Sequence, residues 1–70
     1  MIRFINDEND ENDELYAVCE DRKHIVKVNG RLYGIIEGND IISPNGDFIG
    51  SFTKDRCVVN EDGDMLFYLE

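Results

Sequence analysis

The sequence predicts an all-β protein: a small antiparallel β-meander of three repeated hairpins, curled into a barrel or sandwich-like sheet, with little or no helix. Three observations carry that expectation. One pattern, two apolar residues, a short turn ending in Gly and a second apolar run, occurs three times, over residues 25–36, 41–52 and 58–69. The turns hold the residue types that reverse a strand: Asn29-Gly30, Ser43-Pro44-Asn45-Gly46 and Asp62-Gly63. Finally, both faces of these strands are apolar, whereas a sheet with one wet side shows cleaner alternation. Such a sheet closes on itself, dimerises or keeps an apolar patch for a partner.

Taken in order, residues 1–5 supply Ile2, Phe4 and Ile5, enough for a short strand. Residues 6–14 read Asn-Asp-Glu three times over, an acidic low-complexity loop without an apolar side chain. Asp7, Glu8, Asp10, Glu11, Asp13 and Glu14 supply six of the nine net negative charges. Like charges keep such a run solvated and extended. The same carboxylates also form a negative patch for a basic protein surface or a divalent cation. An EF-hand loop is excluded, because the sixth and twelfth residues from Asp7 are Asn12 and Val18, where Gly and a bidentate Glu are needed.

Residues 15–20 alternate Leu15, Ala17 and Cys19 with Tyr16, Val18 and Glu20, a strand pattern. The Asp, Glu, Leu and Ala of residues 10–20 also suit a short helical turn. Asp21-Arg22-Lys23 turns the chain, and His24 leads into the first repeat.

Within the repeat, turn chemistry sets register. Asn29-Gly30 suits a two-residue type I′ turn, while residues 43–47 and 60–64 suit a type I turn with Gly in a left-handed bulge. The choice matters because a one-residue slip exchanges the faces of a strand. The bulged form in all three copies pairs Lys27 with Arg31, Ser43 with Asp47 and Asn60 with Asp64. The expected core face then holds Val26, Leu32 and Ile36, Ile42, Phe48 and Phe52, and Val59, Met65 and Leu69. The opposite face holds Ile25, Tyr33 and Ile35, Ile41 and Ile49, and Val58, Leu66 and Tyr68. Gly34 and Gly50 share one place, where another backbone or a large ring comes close, and Phe67 takes that place in the third copy and fills the space they leave. Residues 37–40 and 53–56 join the copies as polar turns. The apolar last strand pairs inward or with another chain.

Seventy residues allow one domain, spanning 1–70, that buries only about 60% of its unfolded surface. Sixteen acids against seven bases repel nucleic acid and anionic lipid, so neither is an expected direct partner. No apolar run approaches the roughly 20 residues that span a bilayer, and the amino terminus lacks the basic and apolar stretches of a signal peptide. The expectation is a soluble, cytoplasmic protein in which Cys19 and Cys57 are reduced thiols.

His24 is the only histidine. Cys19 lies across a turn from it, yet a nucleophilic thiol needs a lowered pKa that spacing cannot supply. Cys19, His24 and Cys57 lack the paired Cys-x-x-Cys spacing of a zinc site. The glycines sit in turns and strands, and none opens a phosphate-binding loop. No catalytic residue, cofactor or metal is therefore assigned, and the protein is expected not to be an enzyme.

In size and charge the chain resembles the small acidic proteins with which phages and mobile elements obstruct host nucleic-acid-binding proteins, some of which imitate DNA charge. The expected function is a protein-binding module, an inhibitor or modulator that occupies a basic surface of a larger protein. Asp7, Glu8, Asp10, Glu11, Asp13 and Glu14 would steer association, and Tyr33, Ile35 and Tyr68 would anchor it. The alternative is an assembly module that self-associates, as in a homodimer, through its second apolar face or its edge strand.

Overall fold

The computed structural model describes residues 1–6 and 14–70. Among the described residues eight strands follow in chain order: β1 (Ile2–Asn6), β2 (Glu14–Cys19), β3 (His24–Lys27), β4 (Leu32–Glu37), β5 (Asp40–Ile42), β6 (Phe48–Phe52), β7 (Cys57–Val59) and β8 (Met65–Leu69). Each pairs antiparallel with the next, and β8 returns to β1, so the sheet is a closed barrel. The all-β expectation holds, and the choice between barrel and sandwich falls to the barrel. Residues 14–19, which also suited a helical turn, are strand.

The strands form four hairpins where the sequence reading found three. The additional one is β1–β2, whose connection falls in the acidic run and has no Gly turn to announce it. In the other three the backbone takes the bulged turn. Lys27 N donates to Arg31 O at 2.8 Å, Ser43 N to Asp47 O at 2.7 Å and Asn60 N to Asp64 O at 2.9 Å. Gly30, Gly46 and Gly63 adopt φ of 90°, 93° and 86°, the left-handed conformation that this turn requires.

A second bulge inside every hairpin decides what is core. Val26 pairs with Leu32, but Ile25 pairs with Gly34, so Tyr33 is an extra residue on its strand. Ile49, Leu66 and Tyr16 are the extra residues of the other three hairpins. Each bulge exchanges the faces beyond it. The expected core face is therefore split: Ile36, Phe52 and Leu69 pack against the core, whereas Leu32, Phe48 and Met65 are 41%, 46% and 47% exposed. The buried centre is built instead from Phe4, Ala17, Cys19, Ile25, Ile41, Val58 and Phe67.

Eight strands enclose an interior just wide enough for side chains to fill, and the inward pairs fill it unequally. Phe4 faces Ala17, Ile25 faces Gly34, Ile41 faces Gly50 and Val58 faces Phe67. Gly34 and Gly50 stand where a neighbour comes close, as expected. A Cβ at Gly34 would lie 2.9 Å from Ile42 O, and one at Gly50 2.6 Å from Val59 O. Ile49 of the next hairpin covers Gly34, and Leu66 covers Gly50. Phe67 is packed between rings, 6.0 Å from Phe4, 5.1 Å from Tyr16 and 5.7 Å from Tyr33.

Candidate functional site

Because every strand is antiparallel to the next, one end of the barrel gathers the hairpin turns and the other gathers the two termini and the three links between hairpins. Charge divides along that axis. At the link end the acids Glu20, Asp21, Glu37, Asp40, Asp55 and Glu70 face the bases Arg3, Arg22, Lys23, Lys54 and Arg56, a near balance. At the hairpin-turn end Glu14, Asp47, Glu61, Asp62 and Asp64 face only Lys27 and Arg31. The acidic run begins and ends there too, between Asn6 and Glu14, although Asp7, Glu8, Asp10, Glu11 and Asp13 lie outside the described residues.

The two ends also differ in pairing. The ion pairs among the described residues, Arg3 with Glu70 at 3.3 Å and His24 with Asp21 at 2.7 Å, both belong to the link end. Glu14, Asp47, Glu61, Asp62 and Asp64 are exposed, and no cation of the described residues lies within ion-pair distance of them.

The same end carries a ring of outward apolar side chains, at equivalent positions at or next to the start of the second strand of each hairpin. Leu32, Phe48 and Met65 are the exposed members, and Leu15 is half-buried. The residue before each of them is Glu14, Arg31, Asp47 or Asp64. Sequence reasoning placed Leu32, Phe48 and Met65 in the core. The signal available for them was the repeated charged-then-apolar step after each turn, and the hidden bulge reversed its reading.

The expected anchor residues are dispersed. Tyr33 packs against the core, its ring 5.4 Å from Tyr16, whose own ring has Lys27 Nζ 5.6 Å from its centre. Burial pushes the Tyr33 phenol up, and the neighbouring Tyr16 adds to the shift. Ile35 pairs with His24 and Ile42 on the outer face, and Tyr68 pairs with Ile5 and Cys57. β4 and β8 stand four strands apart in an eight-strand closed sheet, so Tyr33 and Ile35 do not share a patch with Tyr68.

The thiol and imidazole considered for catalysis do not pair. His24 Nδ1 lies 2.7 Å from Asp21 Oδ2, and Cys19 Sγ turns to Asp21 Oδ1 at 3.9 Å. Asp21 also accepts the backbone N–H groups of Lys23 and His24. Cys19 is 1% exposed, and burial pushes its thiol up, the wrong direction for a nucleophile. Beside them Val18, Glu20, Asp21, His24 and Val26 line an outer groove of about 300 Å³. Cys57 stands on β7, away from Cys19 on β2, and both thiols are free. Among the described residues no three His, Cys, Asp or Glu side chains are placed to hold a metal ion, and no helix is long and apolar enough to cross a membrane.

Comparison with curated proteins and with solved structures found no match. The family model described as 4-fold beta flower protein matches residues 9–70, nearly the whole chain and seven of the eight strands. Four hairpins, each with a bulge, an inward pair and an outward apolar residue at equivalent places, agree with that description, and the chain belongs to the 4-fold beta flower family.

Proposed function

We propose that this protein is a non-enzymatic binding module that acts in the cytoplasm, an inhibitor or modulator that sets the hairpin-turn end of its barrel on a basic, nucleic-acid-binding surface of a larger protein. The observation that supports this reading is the axial separation of charge: unpaired carboxylates gather at one end while the other end is nearly neutral. Such a field orients the molecule as it approaches a cationic surface and repels phosphate backbones and anionic lipid. Two free thiols suit a reducing compartment.

A second reading, self-assembly as a homodimer, draws support from the exposed ring of Leu32, Phe48 and Met65. Closure removes the edge-strand route from that reading, since every strand of the barrel is paired on both sides, and leaves it the outward apolar side chains.

The test is capture from a source-cell lysate at low and high salt, with light scattering on the purified chain. A monomer that retains a basic protein at low salt and releases it at high salt supports the proposal, provided that changing the six acids of residues 6–14 to Asn and Gln abolishes capture. A salt-resistant oligomer that captures nothing overturns it in favour of assembly.

A further inference from the structure

Resting on the reading above, we propose that hairpins β5–β6 and β7–β8 form the docking surface itself, and that its occupant is a basic amphipathic segment of the partner protein, an apolar side chain flanked by Lys or Arg. Asp47-Phe48 and Asp64-Met65 occupy the same position in these two hairpins, which are neighbours through the β6–β7 pairing. Phe48 and Met65 are 46% and 47% exposed, and Glu61 and Asp62 lie in the turn between β7 and β8. Each of the two hairpins thus presents one exposed apolar side chain together with exposed, unpaired carboxylates, four in all, the combination of apolar anchor and polar surround from which small interfaces are built.

Charge selects the occupant. A second copy would bring the same four carboxylates against these, a like-charge contact that opposes docking. A purely apolar partner would cover the rim and leave carboxylates short of water and of cations. A segment with Lys or Arg on either side of an apolar anchor satisfies both. Hairpin β3–β4 is the built-in contrast: Leu32 is exposed to a similar degree, but Lys27 and Arg31 stand beside it, so the same ring position there repels a basic segment.

The experiment measures fluorescence anisotropy of the full chain with two labelled synthetic peptides of equal charge, one carrying Leu and Phe between lysines and the other Ser at those places. The expected result is about tenfold tighter binding of the apolar peptide, a preference lost in Phe48→Ser with Met65→Ser and kept in Phe48→Leu with Met65→Leu. Leu32→Ser should leave the preference unchanged, and Asp47→Asn with Asp64→Asn should weaken both peptides. Equal affinity for the two peptides overturns this inference and leaves the electrostatic function standing. Failure of both peptides to bind overturns the two together. A loss in Leu32→Ser as large as in the double variant overturns the assignment to this sector. Self-association that Phe48→Ser with Met65→Ser abolishes gives the surface to a second copy and overturns the proposal.

Discussion

The ring of Phe67 lies 5.1 Å from the ring of Tyr16, so the central residue of the last hairpin is seated against the bulge of the first. Ala17, Gly34, Gly50 and Phe67 are equivalent in the four hairpins, and three of the four are small. One ring fills the space that three small residues leave, and its edge contacts with Phe4 and Tyr33 hold it in place. The four-fold repeat of the backbone is therefore broken in its centre by design of the packing: four phenyl rings would not fit, and four glycines would leave a hole.

Phe67→Ala should consequently be among the most damaging substitutions in the chain. Removing a buried ring from a small core costs about 3–5 kcal/mol, a large part of what a domain of this size has. Denaturant unfolding followed by circular dichroism checks it. Phe67→Gly, which would complete the three small residues, should be no milder, and near-native stability in either variant would show that the ring is dispensable.

Gly50→Ala should cost about 1–3 kcal/mol through lack of space, and more than Gly34→Ala. The added Cβ would meet backbone oxygen in both cases, at 2.6 Å from Val59 O and 2.9 Å from Ile42 O, and backbone cannot swing aside as a side chain tip can. Paired denaturation midpoints of the two variants give the order, and a reversed order would contradict it.

How much of this was legible in the sequence follows from where the signals lay. The turns were readable because Asn29-Gly30, Asn45-Gly46 and Asp62-Gly63 bear local chemistry that needs no tertiary context. The crowding at Gly34 and Gly50 and the filling by Phe67 were readable from their equivalent places. The inner face was not, because the bulges at Tyr16, Tyr33, Ile49 and Leu66 are set by closure and strong twist in the barrel rather than by any residue type. The first hairpin was hidden by the acidic run, although Tyr16, Tyr33, Ile49 and Leu66 recur at nearly constant spacing. Of the candidate site, the charge was plain in the sequence, but its gathering at one end needed the topology. Likewise Leu32, Phe48 and Met65 read as core until the bulge turned them outward.

Arg56→Gly should stabilise the barrel by roughly 0.5–1 kcal/mol. Arg22 and Arg56 hold φ of 64° and 61° in the links between hairpins, and the third link places Gly38 at 62°. A side chain in the left-handed region costs about 1–2 kcal/mol, part of which is offset by the greater freedom of Gly in the unfolded chain. Thermal melts of Arg56→Gly and Arg22→Gly against the parent protein decide it, and a lowered melting temperature would mean that the arginine side chains make contacts worth more than the strain.

Asp21 should make the fold sensitive to acid. The backbone N–H of His24, then the His24 ring and the N–H of Lys23, hold its carboxyl well below the usual carboxylate range. A group whose pKa is depressed by folding contributes stability that is present above its unfolded value, about 4, and lost as pH falls through the folded one. Asp21→Asn keeps an acceptor oxygen but cannot titrate. Melting temperatures between pH 7 and pH 2 should fall less steeply in that variant than in the parent, and parallel curves would remove Asp21 from the acid response.

At the alkaline side the sensitive group is Tyr33. Burial disfavours its phenolate, and a charge on Tyr16 disfavours it further, so its pKa is raised on folding. For a raised pKa the contribution is fully present below the unfolded value, about 10, and is lost as pH rises through the folded value. Phenolate absorbance should thus show Tyr33 titrating late, and Tyr16→Phe should bring it earlier by removing the neighbouring charge. Tyr33→Phe keeps the ring contacts with Tyr16 and Phe67 and removes the titration, so melting temperature above pH 10 should decline more gently than in the parent. An ordinary Tyr33 titration in the parent protein would mean that water reaches the phenol freely and that these rings pack more loosely than their spacing implies.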